Sequence, residues 1–451
     1  TYSQDFSNAA WTKTRSSVLQ NLLTYSEDLR NTADAGGTRL WTYSNVTLTP
    51  NATTAPDGTT TADKVVEDAT AGITHFIRNT TTSTQTTATT YVLSVYVKAA
   101  ERGFAFVGFD ASSMPLTYVS VNLTTGAVTT ATGSPVSSGS VNAGNGWWRV
   151  YVVQTTTSTS TTSCSIRTST DGDWANRAYN GDGTSGIYAW GAQLELGSTA
   201  STYRATTTAA LPILFTAPDA TSTAMKLVED TTVTSSHLVG QSVTQTASTV
   251  YTLSAYLKAG ERRYCALQTA NVANWSSSVI TYFDLQSGVV TSGSGTIASV
   301  GDGWYRCSIT ATFGGSNASG GLNILLSANG TSTTYTGDGV SGIYIWGAQL
   351  NVLRYAGIYT PTTSAAVYGT EGTVVCSYAS TQANIGGVAR RLVAICDGTT
   401  SERIVLSYGG GGGVSNYFVT AGGATQVNVT SITMSASGGT LAAAYKVNDF
   451  A

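Results

Sequence analysis

Charge is scarce in this chain. Only 10% of its 451 residues are Asp, Glu, Lys or Arg, the net charge is −3, and the 22 Lys and Arg are scattered. That leaves no basic stripe able to release counterions from a phosphate backbone, so nucleic acid is not expected as a partner. No apolar run approaches the roughly 20 residues that cross a bilayer, and no charged-then-apolar leader precedes Thr1. The sequence reads as soluble, without membrane insertion, and the absent initiator Met reads as a fragment or a processed product. Five cysteines, none in Cys-x-x-Cys spacing, exclude a zinc ribbon, and the odd count implies no complete disulfide framework. Cys376 and Cys396, on two expected strands of one region, are a candidate pair, and Cys265 with Cys307 is a weaker one. The two histidines, His75 and His237, are too few and too isolated for a metal site, and a structural hydrogen bond is expected of each.

What the chain has instead is glycine, threonine, serine and aromatics, a mix that favours short strands and turns. An all-β protein is expected, of two to four domains at this length. Asn180-Gly181-Asp182-Gly183-Thr184-Ser185-Gly186-Ile187-Tyr188-Ala189-Trp190-Gly191-Ala192-Gln193-Leu194-Glu195 recurs as Thr336-Gly337-Asp338-Gly339-Val340-Ser341-Gly342-Ile343-Tyr344-Ile345-Trp346-Gly347-Ala348-Gln349-Leu350-Asn351. A glycine-flanked turn followed by a strand apolar on both faces closes each copy of a module.

The other landmarks repeat in register. Lys64-Val65-Val66-Glu67 matches Lys226-Leu227-Val228-Glu229, Lys98-x-x-Glu101-Arg102 matches Lys258-x-x-Glu261-Arg262, and Gly146-Trp147-Trp148-Arg149 matches Gly303-Trp304-Tyr305-Arg306. The expected division is a first jelly-roll module over 21–205, a second over 206–363, and a different strand pattern over 364–451 whose last strand is cut short. Residues 1–20 duplicate the opening Thr24-Tyr25-Ser26-Glu27-Asp28, with Trp11 echoing Trp41. They read as an arm or the remnant of a preceding module, its Phe6 and Trp11 seeking another protomer.

The Gly-Asp-Gly-x-Ser-Gly-Ile-Tyr-x-Trp-Gly-Ala-Gln-Leu run, with Ala55-Pro56-Asp57-Gly58 upstream, resembles modules of bacteriophage tail fibres and related virion proteins, which look like carbohydrate-binding jelly rolls. The third region looks like the first part of a concanavalin-like or laminin-G-like sandwich. The resemblance implies a homotrimer on the virion surface, in contact with other virion proteins, meeting cell-surface polysaccharide or lipopolysaccharide without catalysis. A spacer or decoration protein is the second reading, and a tailspike-like glycan hydrolase the third.

Repetition separates frame from function: a residue present in both modules is scaffold, one present in a single copy is free for local chemistry. Trp190 and Trp346 fall on the scaffold side. Unrepeated loops are the candidates. Asp171-Gly172-Asp173-Trp174-Ala175-Asn176-Arg177-Ala178-Tyr179 combines an aromatic face for a pyranose with carboxylates, an amide and a guanidinium for its hydroxyls. The named ligand candidates are Trp174, Asp171, Asp173, Asn176, Arg177 and Tyr179, with Trp275 as a poorer second. Asp182 and Asp338 are candidate calcium ligands, turn formation being the competing account. A hydrolase would need paired carboxylates, for which Asp110, Asp171, Asp173 and Asp284 are available but not singled out.

Overall fold

The computed structural model describes residues 2–30, 41–81, 83–270, 275, 279–314 and 318–363, and seven strands between 371 and 450. Nearly every regular element is a strand; a single-turn 3₁₀ helix, Trp174–Asn176, interrupts the pattern. The all-β expectation holds.

The first module is two six-stranded sheets. One runs Val128–Thr132, Thr117–Asn122, Phe104–Phe109, Ser163–Ser169, Phe76–Thr80, Trp41–Ser44; the other runs Ser137–Gly144, Trp147–Thr155, Thr90–Ala99, Gly186–Leu196, Ala62–Glu67, Val46–Thr53. Alternation along each strand sends Val107, Val119, Ile166 and Ile77 from the first sheet and Val95, Val97, Val150 and Ile187 from the second into one core between them. The closing strand Gly186–Leu196 is central in its sheet and covered on both faces. Val65 and Ala189 are buried in the sandwich core, while Trp190 packs on the outside with Trp147, Tyr96 and Tyr203.

The second module repeats this plan, and there the structure corrects the reading of residues 1–20. They are neither a remnant nor an arm reaching for another protomer. Thr12–Thr14 pairs antiparallel with Leu238–Gln245, and Ser16–Val18 pairs with Ser222–Glu229. In the first module Trp41–Ser44 pairs with Phe76–Thr80 and Val46–Thr53 with Ala62–Glu67 in the equivalent way. Phe6, Trp11 and Val18 lie in the second module's core beside Leu253, Leu267 and Ile343.

The small contacts duplicate as well. The Trp11 and Trp41 indoles donate to the Tyr2 and Tyr25 carbonyls, Ser3 and Ser26 bond the Tyr359 and Tyr203 hydroxyls, and the amides of Ala348 and Ala192 donate to the Ser3 and Ser26 carbonyls. The second module therefore comprises residues 2–19 together with 211–363, and the first is inserted between its opening strands and its body. The two crossings, Gln20–Asn21 and Leu211–Pro212, pair as a short antiparallel ribbon. This explains why no opening segment stands before Pro218: residues 2–19 supply it.

The modules meet near this ribbon, where Leu19, Ile213 and Val228 pack together with Leu196 and Phe215. Beyond Ala366 a separate unit contains a four-strand meander, Arg390–Cys396, Arg403–Tyr408, Val414–Ala421 and Ala424–Thr433. A three-stranded sheet of Glu371–Tyr378, Gly439–Lys446 and Asp449–Phe450 accompanies it. The side chains of Cys376 and Cys396 lie outside the described residues. Cys265 and Cys307, weighed as a pair, are instead free thiols, both buried in the second module's core, where burial pushes their pKa up.

Trp11→Ala empties a site in the second module alone and is expected to cost about 3–5 kcal/mol there. Calorimetry should show that module's transition falling while the first module's stays in place. An equal fall in both, or in neither, would contradict the nested arrangement.

Candidate functional site

The repeated polar residues build a frame. Glu67 is fully buried and accepts from the Arg102 guanidinium, from the Tyr179 hydroxyl at 2.6 Å and from the Asp182 amide at 3.1 Å. Glu229 does the same for Arg262, Tyr335 and Asp338. His75 and His237 complete the group, each ring 4.7–4.9 Å from the tyrosine and its Nδ1 bonded to the Asn45 or Arg15 carbonyl, a structural role as expected.

The calcium candidates belong to this frame. Asp182 accepts from the amides of Thr184 and Ser185 and from the Ser185 hydroxyl, and Asp338 accepts from Val340 and Ser341 in the same way. Arg102 and Arg262 approach them at 3.3 Å. The Ser185 hydroxyl and the turn amides hold the Asp182 carboxyl well below the usual range. Oxygens committed to N–H and O–H donors leave an arrangement that fits a turn rather than a cation. Among the described residues no group of three or more His, Cys, Asp or Glu could hold a metal ion.

Trp275 is also reassigned. It is 5% exposed and meets Phe313 and Tyr251 edge-on, so it fills the second module's core and offers no face to a ligand. Tyr179, taken as a loop residue, is the counterpart of Tyr335 and serves Glu67; the register of the two Gly-Asp-Gly turns already contained that equivalence.

The Trp174 loop folds over the outer face of the Trp41–Ser44 sheet. Asp171 accepts from the Asp173 amide and the Asn176 amide group, and Asp173 caps the 3₁₀ turn through the Ala175 amide. These three side chains thus shape the loop first. Gly172 lets it approach the sheet: φ is +78°, and a Cβ there would lie 2.7 Å from the Ser120 hydroxyl. Trp174 comes down stacked on Tyr118, ring centroids 4.8 Å apart, with Phe106 edge-on at 5.2 Å.

Guanidinium groups interleave with these rings. Arg78 lies 5.0 Å from the Phe76 centroid, Arg167 lies 4.6 Å from Phe76, 4.5 Å from Tyr118 and 5.6 Å from Trp174, and Arg177 lies 5.1 Å from Trp174. Asp110 anchors the row, accepting from Arg78, Arg167, Ser165 and the Tyr118 hydroxyl. Burial pushes its carboxyl up. The hydroxyls of Ser165 and Tyr118 and the charges of Arg167 and Arg78 outweigh that and hold it below its ordinary value. Asp284, the other carboxylate weighed for hydrolysis, is likewise spent on an arginine, Arg263. What remains open is a half-buried Trp174 with the exposed Arg177 and the partly exposed Arg78 at the ends of the row.

Strand register places Leu238, Gly240, Ala266, Ile280, Asn323 and Leu325 of the second module where Phe76, Arg78, Phe106, Tyr118, Ser165 and Arg167 stand in the first. The row exists in one copy only. Phe76, Arg78, Phe106, Tyr118 and Arg167 were not singled out from the sequence because they come from separate strands, and Asp110 was weighed there only as a hydrolytic carboxylate. The signal was present as the alternation Phe76-Ile77-Arg78 and Ser165-Ile166-Arg167, unmatched at Leu238-Val239-Gly240 and Asn323-Ile324-Leu325.

No family model and no curated protein matches the chain. Among solved structures it is similar to the N-terminal CBM22-1-CBM22-2 tandem domain of Xyn10C from Paenibacillus barcinonensis. The identity is 12%, the TM-score 0.24, and the match covers 76% of this chain and 99% of that one.

Because the folded Asp110 pKa is depressed, its contribution to stability is complete above the unfolded value near 4 and is lost as pH falls through the lower folded value. The Trp174 indole resonance in NMR spectra should therefore hold steady from pH 7 to about 4 and shift on further acidification. Asp110→Asn should remove that acid step; an unchanged step would mean that another group produces it.

Proposed function

We propose that this chain is a glycan-binding, non-enzymatic component of a phage fibre. It stands on the virion surface with other virion proteins, as a homotrimer, and links the particle to host polysaccharide or lipopolysaccharide. The carrying observation is the Trp174 row: an aromatic and guanidinium face, held by Asp110 and left partly open, in one of two otherwise equivalent modules. A frame used twice for packing would have no reason to place Arg78 and Arg167 on the strands of one outer sheet face where the matching positions of the other carry Gly240 and Leu325. An aromatic ring offers the C–H face of a pyranose a flat apolar surface, while the edges of Arg78 and Arg177 supply donors to ring hydroxyls or acidic groups. The second reading, a spacer or decoration module, is supported by the frame itself, which is fully accounted for without a ligand.

A glycan array probed with the full chain distinguishes them. Binding is expected, at least tenfold weaker in Trp174→Ala and Arg177→Ala, and retained in any folded substitution of Trp275. Failure of the chain to bind any glycan would favour the spacer. Release of reducing sugar from host polysaccharide would overturn the non-enzymatic reading.

A further inference from the structure

The two modules differ at a backbone position that the frame uses in both. Asn45 in the first and Arg15 in the second take a left-handed φ, +55° and +51°, and each offers its carbonyl to a histidine, His75 or His237. Asparagine suits that conformation better than a long side chain does. Asn45 also spends its side chain locally, donating to the Ser44 hydroxyl and the Thr74 carbonyl. Arg15 performs the same backbone task, and among the described residues nothing partners its guanidinium. The frame alone gives no reason for an arginine there.

Arg15 lines a cleft of about 350 Å³ between the modules. One wall is the opening segment of the second module, from Arg15 to Gln20, and the other is the first module's loop at 83–89. The modules touch there: a Cβ on Gly339 would lie 3.3 Å from the Thr89 methyl, whereas one on the matching Gly183 would meet only Ala69 of its own module, at 3.7 Å. Val18, Tyr91 and Leu196 give the cleft apolar surface. The side chains of Gln20, Thr84 and Thr86 bring polar groups that have no partner among the described residues.

The carboxylates at the cleft are held by their own module. Glu229 is taken by Arg262, Tyr335 and the Asp338 amide, and Asp230 accepts from the Thr232 amide and lies 3.3 Å from His237 Nδ1. The free charge is therefore the guanidinium of Arg15. The volume is at the lower end of the roughly 300–1,000 Å³ of small-molecule sites, the size of a single sugar ring. Apolar patches with an aromatic ring suit the C–H face of a pyranose, amide and hydroxyl groups suit its hydroxyls, and a guanidinium fork matches a carboxylate.

We infer that the intermodule cleft binds a uronic acid residue, its carboxylate on Arg15 and its hydroxyls on Gln20, Thr84 and Thr86. The site shares no residue with the Trp174 row and is independent of what that row binds.

Calorimetric titration of the full chain with glucuronate, glucose and acetate tests it. Glucuronate is expected to bind, and glucose and acetate to bind at least tenfold more weakly, since one lacks the carboxylate and the other the ring. Arg15→Asn installs the first module's residue at the left-handed position, and Thr86→Trp fills the cleft from the other wall. Each is expected to weaken glucuronate binding at least tenfold without lowering the melting temperature, and Trp174→Ala to leave that binding unchanged. Glucose or acetate bound as tightly as glucuronate, either cleft variant binding as wild type does, loss of binding in Trp174→Ala, or no binding of glucuronate would each overturn the inference.

Discussion

The pairing of Ser16–Val18 with Ser222–Glu229 is the constraint on which the rest of the described molecule depends. It joins segments more than 200 residues apart, a closure whose entropic cost rises only slowly with length but must still be met by burial. Phe6, Trp11 and Val18 supply that burial, since an aromatic side chain removes a large apolar area from water on entering a core. Folding of the first module brings Asn21 and Leu211 into register, so the inserted module shortens the loop that the second must close. Nesting of this kind couples the two sandwiches, although each has its own core.

Inside each sandwich the buried glutamate plays the corresponding part at short range. An unpaired carboxylate there would be costly, and Glu67 is tolerated because arginine, tyrosine and a backbone amide all donate to it. Through Asp182 that network fixes the glycine-flanked turn, and the turn aims the closing strand into the middle of its sheet. Once this frame is duplicated, differences between the copies are informative. The outer sheet face of the first module carries charge and aromatic rings in alternation, whereas the second carries Leu, Ile, Ala and Gly at the same positions. The same comparison at the left-handed residue bonded to the histidine gives Asn45 in one copy and Arg15 in the other.

Much of this was legible before any coordinates. Gly-Asp-Gly turns, strand alternation and scarce charge led directly to an all-β chain with two repeated modules, and repetition assigned Trp190 and Trp346 to the frame. Locating the rest failed for identifiable reasons. Residues 1–20 read as an arm or the remnant of a preceding module because no body follows them directly, although backbone pairing depends on edge complementarity and not on adjacency along the chain. Trp275 looked like a loop aromatic because its surroundings are polar in sequence, yet Phe313 and Tyr251 enclose it. Tyr179 was read with the Trp174 loop when its register assigned it to Glu67.

The sequence by itself determined which backbone conformations were available: where glycine permits a turn, which strands have two apolar faces, and which positions recur. These are local properties, fixed by φ, side-chain alternation and composition. Tertiary structure alone decided that Tyr2 to Leu19 complete a module whose body begins near Leu211, and that Arg78, Arg167 and Trp174 share one face. Strand order sets which distant residues become neighbours, and hydrogen-bonded pairing can join any two compatible edges however far apart they lie in the chain.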